Sequence, residues 1–246
     1  MDSSPVVWRA RGGVPVTAGM RYARAVIAGS TESRGFRRLL GEPGWQGLRE
    51  AGVLWKYRKG ERLLRQGFRG TSVLALVAGR VKVVQSTQDG KEALIALRGA
   101  GDLVGEIAAP HNGERTASVQ AVDSCEAVRL EWGALQSSLG KLSDSLLREY
   151  MALKLAQAGP YKLRLVHFKP ERKIARLVLE LAALADPSIA DPNRVPFTQQ
   201  EIADSLGIRT STVAEHVKRL RAKGALVERG HLVLGDREAL HQAAGV

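Results

Sequence analysis

Hydrophobic and polar residues change their spacing along the chain, and the change separates two kinds of segment. Between residues 45 and 140, short apolar runs alternate with turns that contain glycine, and Asp89-Gly90 lies between two such runs as a candidate hairpin turn. Between residues 141 and 168, apolar side chains recur every three or four positions, as on one face of a helix. The pattern predicts an antiparallel β-roll followed by a long helix.

The last third of the chain has the spacing of a helix-turn-helix. Pro170 suits the first position of a helix that runs to about residue 185. Thr198 and Glu201 form a capping-box signature at the start of a second helix, and Gly207 supplies the turn before a third. The apolar positions that these last two helices share as a core are Ile202, Ala203, Leu206, Val213, Val217 and Leu220.

A short β-hairpin is predicted at residues 226–234, where it completes a winged helix-turn-helix. The predicted fold class is therefore α+β, and the 246 residues divide into four parts. These parts are a basic, flexible leader at 1–44, a β-roll at 45–140, a long helix at 141–168 and a winged helix-turn-helix at 169–246.

The charge of the chain favours an anionic partner. The formal net charge is +12 and the isoelectric point is about 10.2, which produces a field that attracts nucleic acid from a distance. Together with the winged helix-turn-helix, this charge predicts double-stranded promoter DNA as the partner. The residues that we expect to contact DNA are Thr198, Gln199, Gln200, Arg209, Thr210, Ser211, Thr212, Glu215 and Lys218.

A second set of polar residues surrounds a turn of small residues that begins at Gly105. The Glu106 carboxylate can accept a hydrogen bond from a ribose hydroxyl, while the planar Arg115 guanidinium and the Thr116 hydroxyl suit a cyclic phosphate. Small residues also allow backbone N–H groups to approach that phosphate. The predicted effector is a cyclic nucleotide, cyclic AMP or cyclic GMP, held by Gly105, Glu106, Ile107, Ala108, Arg115 and Thr116.

The chain resembles the Crp/Fnr family of bacterial transcription regulators over residues 45–235. The resemblance rests on four features in the family's order: the β-roll, the turn of small and charged residues from Gly105 to Thr116 (the cassette), the long helix and the helix-turn-helix. The resemblance implies a jelly-roll-like β-roll that binds a cyclic nucleotide, and a dimerisation helix that makes the protein a homodimer. It also implies contact with RNA polymerase if the protein is an activator. Lys154 falls where the family has an arginine that reaches the cassette glutamate, and Ala158 and Gly159 fall where hydroxyl side chains meet the base.

The chain departs from the family pattern in its base and operator contacts. Neither Ala158 nor Gly159 has a side chain that can hydrogen-bond to a base, and Gly159-Pro160 predicts a kink or break in the long helix. At the three positions that read the operator of the cyclic AMP receptor protein, the family has arginine, glutamate and arginine. This chain has Thr210, Ser211 and Glu215 there, which predicts a different operator.

These departures leave two alternatives to a nucleotide-controlled regulator. The first is a DNA-binding regulator of the same fold whose pocket is degenerate or accepts another effector. The second belongs to a different class: a cyclic-nucleotide-binding adaptor that acts through protein contacts.

Other chemistries have little support in the sequence. A single cysteine, Cys125, excludes a disulfide framework and a four-cysteine iron–sulfur cluster, and we expect it to be a half-buried structural thiol in a strand. The histidine spacing predicts no metal site, and we expect no haem and no catalytic residues, so the chain is not predicted to be an enzyme. Without an apolar span long enough for a bilayer or the apolar core of a signal peptide, we expect no membrane partner and a cytoplasmic protein.

Overall fold

The structure is a computed structural model that describes residues 35–86 and 92–246, with the backbone alone over 159–166. Most of the predicted leader, residues 1–34, and the predicted hairpin turn at Asp89-Gly90 lie outside the described residues.

The first half of the described chain is a β-roll made of two four-stranded antiparallel sheets. One sheet has the strand order β1-β8-β3-β6 and the other has the order β2-β7-β4-β5. Apolar side chains from both sheets, such as Leu76 of β3 and Val81 of β4, meet in one buried cluster between them. The strands are β1 Val53–Tyr57, β2 Arg62–Leu64, β3 Ser72–Ala78, β4 Arg80–Ser86, β5 Glu92–Gly99, β6 Leu103–Val104, β7 Ser118–Ala121 and β8 Cys125–Glu131.

A helix, α1 (Gly35–Glu50), precedes the β-roll, and it corrects the predicted boundary of the leader at residue 44. The side chain of Phe36 is 0% exposed, and Trp45 and Leu48 are buried in the same cluster as β3 and β8 residues. The prediction was wrong over residues 35–44 because basic residues on the outer face of α1, such as Arg38, conceal the apolar positions on its inner face.

The long helix α3 (Ser143–His167) follows a short helix α2 (Trp132–Leu139) and continues through Gly159 and Pro160. Of the kink or break predicted at this pair, the break was therefore wrong, and the kink stays a prediction. A proline removes one backbone hydrogen bond and crowds the preceding turn, which costs a helix about 3 kcal/mol. A helix of 25 residues that also packs on the β-roll tolerates this cost.

The C-terminal part forms the predicted winged helix-turn-helix, so the α+β fold class is confirmed. The helix that begins at Pro170 ends at Ala183, two residues before the predicted end. The C-terminal helix α7 was not predicted. The elements are α4 Pro170–Ala183, α5 Gln199–Leu206, α6 Thr210–Ala222, the wing strands β9 Leu226–Glu228 and β10 Leu232–Leu234, and α7 Arg237–Ala244.

Both ends of α5 follow the predicted capping chemistry. The Thr198 hydroxyl accepts a hydrogen bond from Glu201 N at 3.1 Å, and the Glu201 carboxylate accepts one from Thr198 N at 2.8 Å. At the other end of α5, Gly207 adopts a left-handed conformation with φ of 63°. The capping box fixes the start of α5, and the turn at Gly207 sets the direction in which the chain enters α6, the helix expected to read DNA.

Candidate nucleotide site and DNA-binding surface

Arg115 lies at the centre of the cassette, and backbone carbonyls fix its position. Its side chain is 6% exposed; Nη1 donates to Gly105 O at 2.8 Å and Nη2 donates to Ser72 O at 2.7 Å. A guanidinium has five N–H donors, so these two bonds orient the fork and leave donor capacity for an anion. Burial, followed by the charge of Arg129, lowers the pKa of Arg115, while Glu106 and Glu131 oppose that shift.

The chain around Arg115 is packed closely. A Cβ atom at Gly70 would lie 2.6 Å from Nη2 of Arg115, and one at Gly105 would lie 2.9 Å from Nη1. Small residues at these positions therefore make room for the guanidinium. Thr116 and Ile107 are exposed beside it, and Ala108 is buried.

Glu106 is buried and paired with Lys154 of α3. Lys154 Nζ lies 2.7 Å from Glu106 Oε1 and also donates to Leu103 O at 2.7 Å. Burial lowers the pKa of Lys154, and the neighbouring Glu106 carboxylate opposes that shift. The structure thus brings the predicted site residues Glu106 and Lys154 into contact, and Ala158 lies one turn beyond Lys154 on the same helix, half-buried.

Sequence reasoning missed a second polar group behind this pair. The Tyr150 hydroxyl accepts a hydrogen bond from Leu103 N at 2.9 Å, and its own hydrogen lies between Leu103 O at 3.0 Å and Asp102 Oδ1 at 3.3 Å. The other Asp102 oxygen accepts from Gly99 N at 3.1 Å. Tyr150 and Lys154 are four residues apart on α3, a spacing that places them on one helix face and that the sequence already contained.

Charge in this region is nearly balanced. Arg98 of β5 lies among acidic groups: burial acts to lower its pKa, but Asp102, Tyr150, Glu106 and Glu180 together raise it. At the cassette itself, the positive charges of Arg115 and Lys154 accompany the negative charges of Glu106 and the exposed Glu114. Two backbone carbonyls hold Arg115, so its charge is available to an anion.

Cys125 has no role in this chemistry. It is 2% exposed in β8, so it is more deeply buried than the half-buried thiol that was predicted. Burial raises the pKa of the thiol to about 12, with smaller contributions from nearby carboxylates.

The second surface lies on α5, α6 and the wing. A groove of about 680 Å³ runs between these elements, and its lining includes Gln199, Lys218 and Arg221. Arg221 was missed by the sequence prediction, although it lies three residues after Lys218 and hence on the same helix face. The predicted DNA-contact residues that are exposed are Thr198, Gln199, Gln200, Arg209, Ser211, Glu215 and Lys218.

Two of the predicted DNA contacts bind each other. The Thr210 hydroxyl donates to Gln200 Oε1 at 2.6 Å, and Gln200 Nε2 donates to Asp204 Oδ1 at 2.7 Å. Thr210 and Thr212 are half-buried. Glu215 pairs with Arg219, one turn later on α6. The Glu215 carboxylate and the Gln200 amide are therefore oriented by neighbouring side chains of α5 and α6.

In the part of the chain that the structure describes, no cluster of histidine, cysteine or acidic residues could hold a metal ion, and no helix is long and apolar enough to span a membrane.

Comparison with known proteins gives the family. The model of the cyclic nucleotide-binding domain matches residues 54–141, and the model of the Crp-like helix-turn-helix domain matches residues 172–243. The CRP-like cAMP-activated global transcriptional regulator of Mycobacterium tuberculosis is 27% identical over 194 residues, which cover 76% of this chain and 86% of that protein. The cAMP-activated global transcriptional regulator CRP of Salmonella typhimurium is 26% identical over 183 residues, covering 73% of this chain and 87% of the relative.

Solved structures share the fold. A CRP-family transcriptional regulator from Thermus thermophilus matches with a TM-score of 0.66 and 23% identity, over 78% of this chain and 97% of that one. The c-di-GMP responsive global regulator CLP of Xanthomonas campestris matches with a TM-score of 0.63 and 20% identity, over 79% of this chain and 99% of that one. The chain belongs to the Crp/Fnr family of transcription regulators, which confirms the resemblance drawn from its motifs.

Proposed function

We propose that the protein binds promoter DNA as a homodimer and that a cyclic nucleotide at the β-roll controls this binding. The observation that carries the proposal is the Arg115 guanidinium, which the carbonyls of Gly105 and Ser72 hold in a buried turn beside the Glu106–Lys154 pair. A buried cation that is fixed in advance loses little entropy when it binds an anion. We assign the protein no catalytic role, and we propose that it acts on DNA in the cytoplasm.

In the proposed complex, the cyclic phosphate accepts hydrogen bonds from Arg115 and Thr116 and from backbone N–H groups of residues 105–108. Lys154 uses Glu106 Oε1, so the ribose 2′-hydroxyl donates to Oε2. The base lies toward Ala158 and Gly159, where neither side chain can read its edge. Cyclic AMP and cyclic GMP both remain candidates for this reason, and the relatives whose names call them cAMP-activated favour cyclic AMP.

The proposed homodimer rests on α3. Two apolar side chains on this helix, Met151 and Leu155, lie four residues apart and are exposed in the single chain; Leu155 is 77% exposed. A second α3 helix would cover them. Two helix-turn-helix units related by a two-fold axis would then meet two DNA half-sites. If the protein is an activator, RNA polymerase is a further partner.

The test combines calorimetry with DNA binding. Wild type is titrated with cyclic AMP and with cyclic GMP, alongside Arg115→Lys, which keeps the charge but loses the fork, and Arg62→Lys, which makes the same change at an exposed ion pair with Glu92. We expect the wild type to bind at least one of the two nucleotides. Arg115→Lys should weaken the affinity for that nucleotide by about tenfold or more, and Arg62→Lys should leave it unchanged. No heat with either nucleotide would instead favour a retuned or degenerate pocket.

DNA binding separates a regulator from an adaptor. A duplex selected from a random pool is titrated with and without nucleotide at several salt concentrations. Sequence-selective binding that nucleotide strengthens supports the proposal. Binding without sequence preference would support the adaptor that acts through protein contacts.

A further inference from the structure

The β-roll and the winged helix-turn-helix domain of one subunit share a single buried cluster. Val84, Leu94, Leu97 and Val122 of the β-roll lie in the same apolar cluster as the core residues of α4, α5 and α6. The α5 helix packs against β5, while the DNA-reading residues Ser211, Glu215 and Lys218 stay exposed on α6. The contact therefore orients the DNA-binding domain without covering its reading face.

Arg80, the first residue of β4, joins the two domains. Its side chain is 0% exposed, and its guanidinium binds Asp123 through Nε at 2.5 Å and Nη2 at 3.1 Å. The remaining terminal nitrogen, Nη1, donates to Leu181 O at 2.6 Å. Leu181 lies in the last turn of α4, where carbonyl groups have lost their helical partners and the helix dipole is negative. A cation from the β-roll thus caps a helix of the DNA-binding domain.

A second bond between the domains also runs from a donor in the β-roll to an acceptor in the DNA-binding domain. Gly79 N, in the turn before β4, donates to Asp186 Oδ2 at 2.7 Å, just after the end of α4. Lys59 Nζ also donates to Pro196 O at 2.5 Å. Because Gly79 and Arg80 are adjacent, a shift of the β3–β4 turn moves both bonds to α4 together.

The same strand leads back to the nucleotide site. Arg80 pairs with Gly99 across the β4–β5 ladder, and Gly99 N donates to Asp102. Asp102 and Leu103 O compete for the one hydrogen of the Tyr150 hydroxyl. Lys154 donates to the same Leu103 O and to Glu106. A series of hydrogen bonds, with the Arg80–Gly99 strand pairing as one link, therefore connects the Glu106 carboxylate to α4.

We propose that this series, which we call the Tyr150–Arg80 route, couples the nucleotide site to the DNA-binding domain within one subunit. The coupling itself is a property of the folded chain; its use as an effector signal rests on the function proposed above. The Tyr150 hydroxyl is the two-state element, since its single hydrogen has two acceptors.

The direction of the signal follows from competition for oxygen atoms. A ribose hydroxyl on Glu106 weakens the hold of that carboxylate on Lys154, so the ammonium moves toward Leu103 O. That oxygen then becomes a poorer acceptor for Tyr150, whose hydrogen turns to Asp102. Asp102 in turn relaxes its hold on Gly99, the ladder partner of Arg80. Apart from the half-buried Lys154, the groups along the route are buried, so a displacement is transmitted and is not absorbed by solvent.

Amide hydrogen exchange of the full chain without ligand tests the route from both ends. Tyr150→Phe removes the hydroxyl but keeps the ring that packs edge-on against Phe36 at 5.2 Å. We expect this variant to speed exchange in residues 180–189 by about tenfold or more, although Tyr150 does not touch them. Arg80→Lys loses the planar fork and should speed exchange in residues 100–108 by a similar factor. If Arg80→Lys does not fold, Asp123→Asn interrupts the same contact.

The control variant is Arg62→Lys, which alters an ion pair of the same β-roll that lies off the route. It should leave both segments unchanged, and the edge strand β1 should keep its wild-type rates in every variant. Effects confined to the segment that touches each substitution would overturn the proposal. A uniform rise in exchange rate over the whole chain would also overturn it, because it would indicate a global loss of stability.

Nucleotide then distinguishes the two proposals. If the wild type binds cyclic AMP or cyclic GMP, the nucleotide should change amide exchange rates at residues 100–108 and at residues 180–189 together. In Tyr150→Phe, the nucleotide should change exchange only at residues 100–108. If neither nucleotide alters wild-type exchange, the proposed effector fails. The exchange experiments without ligand still test the Tyr150–Arg80 route in that case.

Discussion

Lys154 on α3 lies 2.7 Å from the Glu106 carboxylate in the β-roll, so the only carboxylate among the predicted nucleotide-site residues forms an ion pair with the long helix. The Glu106 side chain is buried and that of Lys154 is half-buried, and α3 is also the helix on which we place the dimer contact. A single ion pair therefore connects the proposed effector site to the proposed dimer helix. Any nucleotide that binds Glu106 must act on this pair.

Removing one member of the pair should destabilise the fold. Lys154→Met leaves Glu106 buried without its cation, and we expect a loss of about 3–5 kcal/mol in the free energy of unfolding. In the double variant Glu106→Gln with Lys154→Met, no charge remains unpaired, so part of the loss should be recovered. Urea unfolding of the wild type, both single variants and the double variant measures the coupling; additive losses would contradict it.

Gly79 should not accept a side chain. It has φ of 80°, and a Cβ atom would lie 2.3 Å from Ser124 O in the loop between β7 and β8. We expect Gly79→Ala to cost more than about 2 kcal/mol, since the left-handed backbone and the overlap both oppose it. Gly60 is the matched control, because it has φ of 86° and open space around its Cβ position. Gly60→Ala should cost only about 1–2 kcal/mol. If thermal unfolding shows equal losses of stability for the two variants, the overlap with Ser124 O does not contribute.

The DNA-binding surface should divide into residues that bind phosphate and residues that read bases. Lys218→Ala or Arg221→Ala should weaken binding to all duplexes alike and reduce the salt slope of the affinity by about one. Ser211→Ala or Glu215→Ala should change the preferred sequence and leave the salt dependence nearly unchanged. Selection from a random duplex pool, followed by titration at several salt concentrations, separates the two effects.

Cys125 should make stability depend on alkaline pH. The folded thiol has a pKa of about 12, whereas an unfolded one ionises near 8.5. Between these values the unfolded chain releases a proton that the folded chain keeps, so stability falls as pH rises. Relative to Cys125→Ala, the wild type should lose about 2 kcal/mol between pH 8.5 and 10, measured by urea unfolding. The other titratable groups are the same in both proteins, so their contributions cancel in the comparison. An equal dependence of unfolding free energy on pH in the two proteins would contradict the expectation.

The sequence by itself determined the family, the fold class and the helix-turn-helix. These depend on local chemistry: the Thr198–Glu201 cap, the turn at Gly207 and the apolar spacing of α5 and α6 act over a few residues, so a linear pattern contains them. The predicted site residues Glu106, Arg115 and Lys154 also came from short motifs and from the resemblance. Two local predictions failed: the flexible leader over residues 35–44, where packing on the β-roll outweighed the basic charge, and the break at Gly159-Pro160, where the helix continues.

Only the tertiary structure decided how these parts meet. The acceptors of Arg115, Gly105 O and Ser72 O, belong to backbone groups that carry no sequence signature. The Tyr150 contact with Asp102 and the Arg80 contact with Leu181 join residues 48 and 101 positions apart. Such contacts depend on strand register and on how α4 docks against β4, and no local rule specifies either. The order of the motifs along the chain reveals what kind of protein this is, and the long-range packing decides how one site can act on the other.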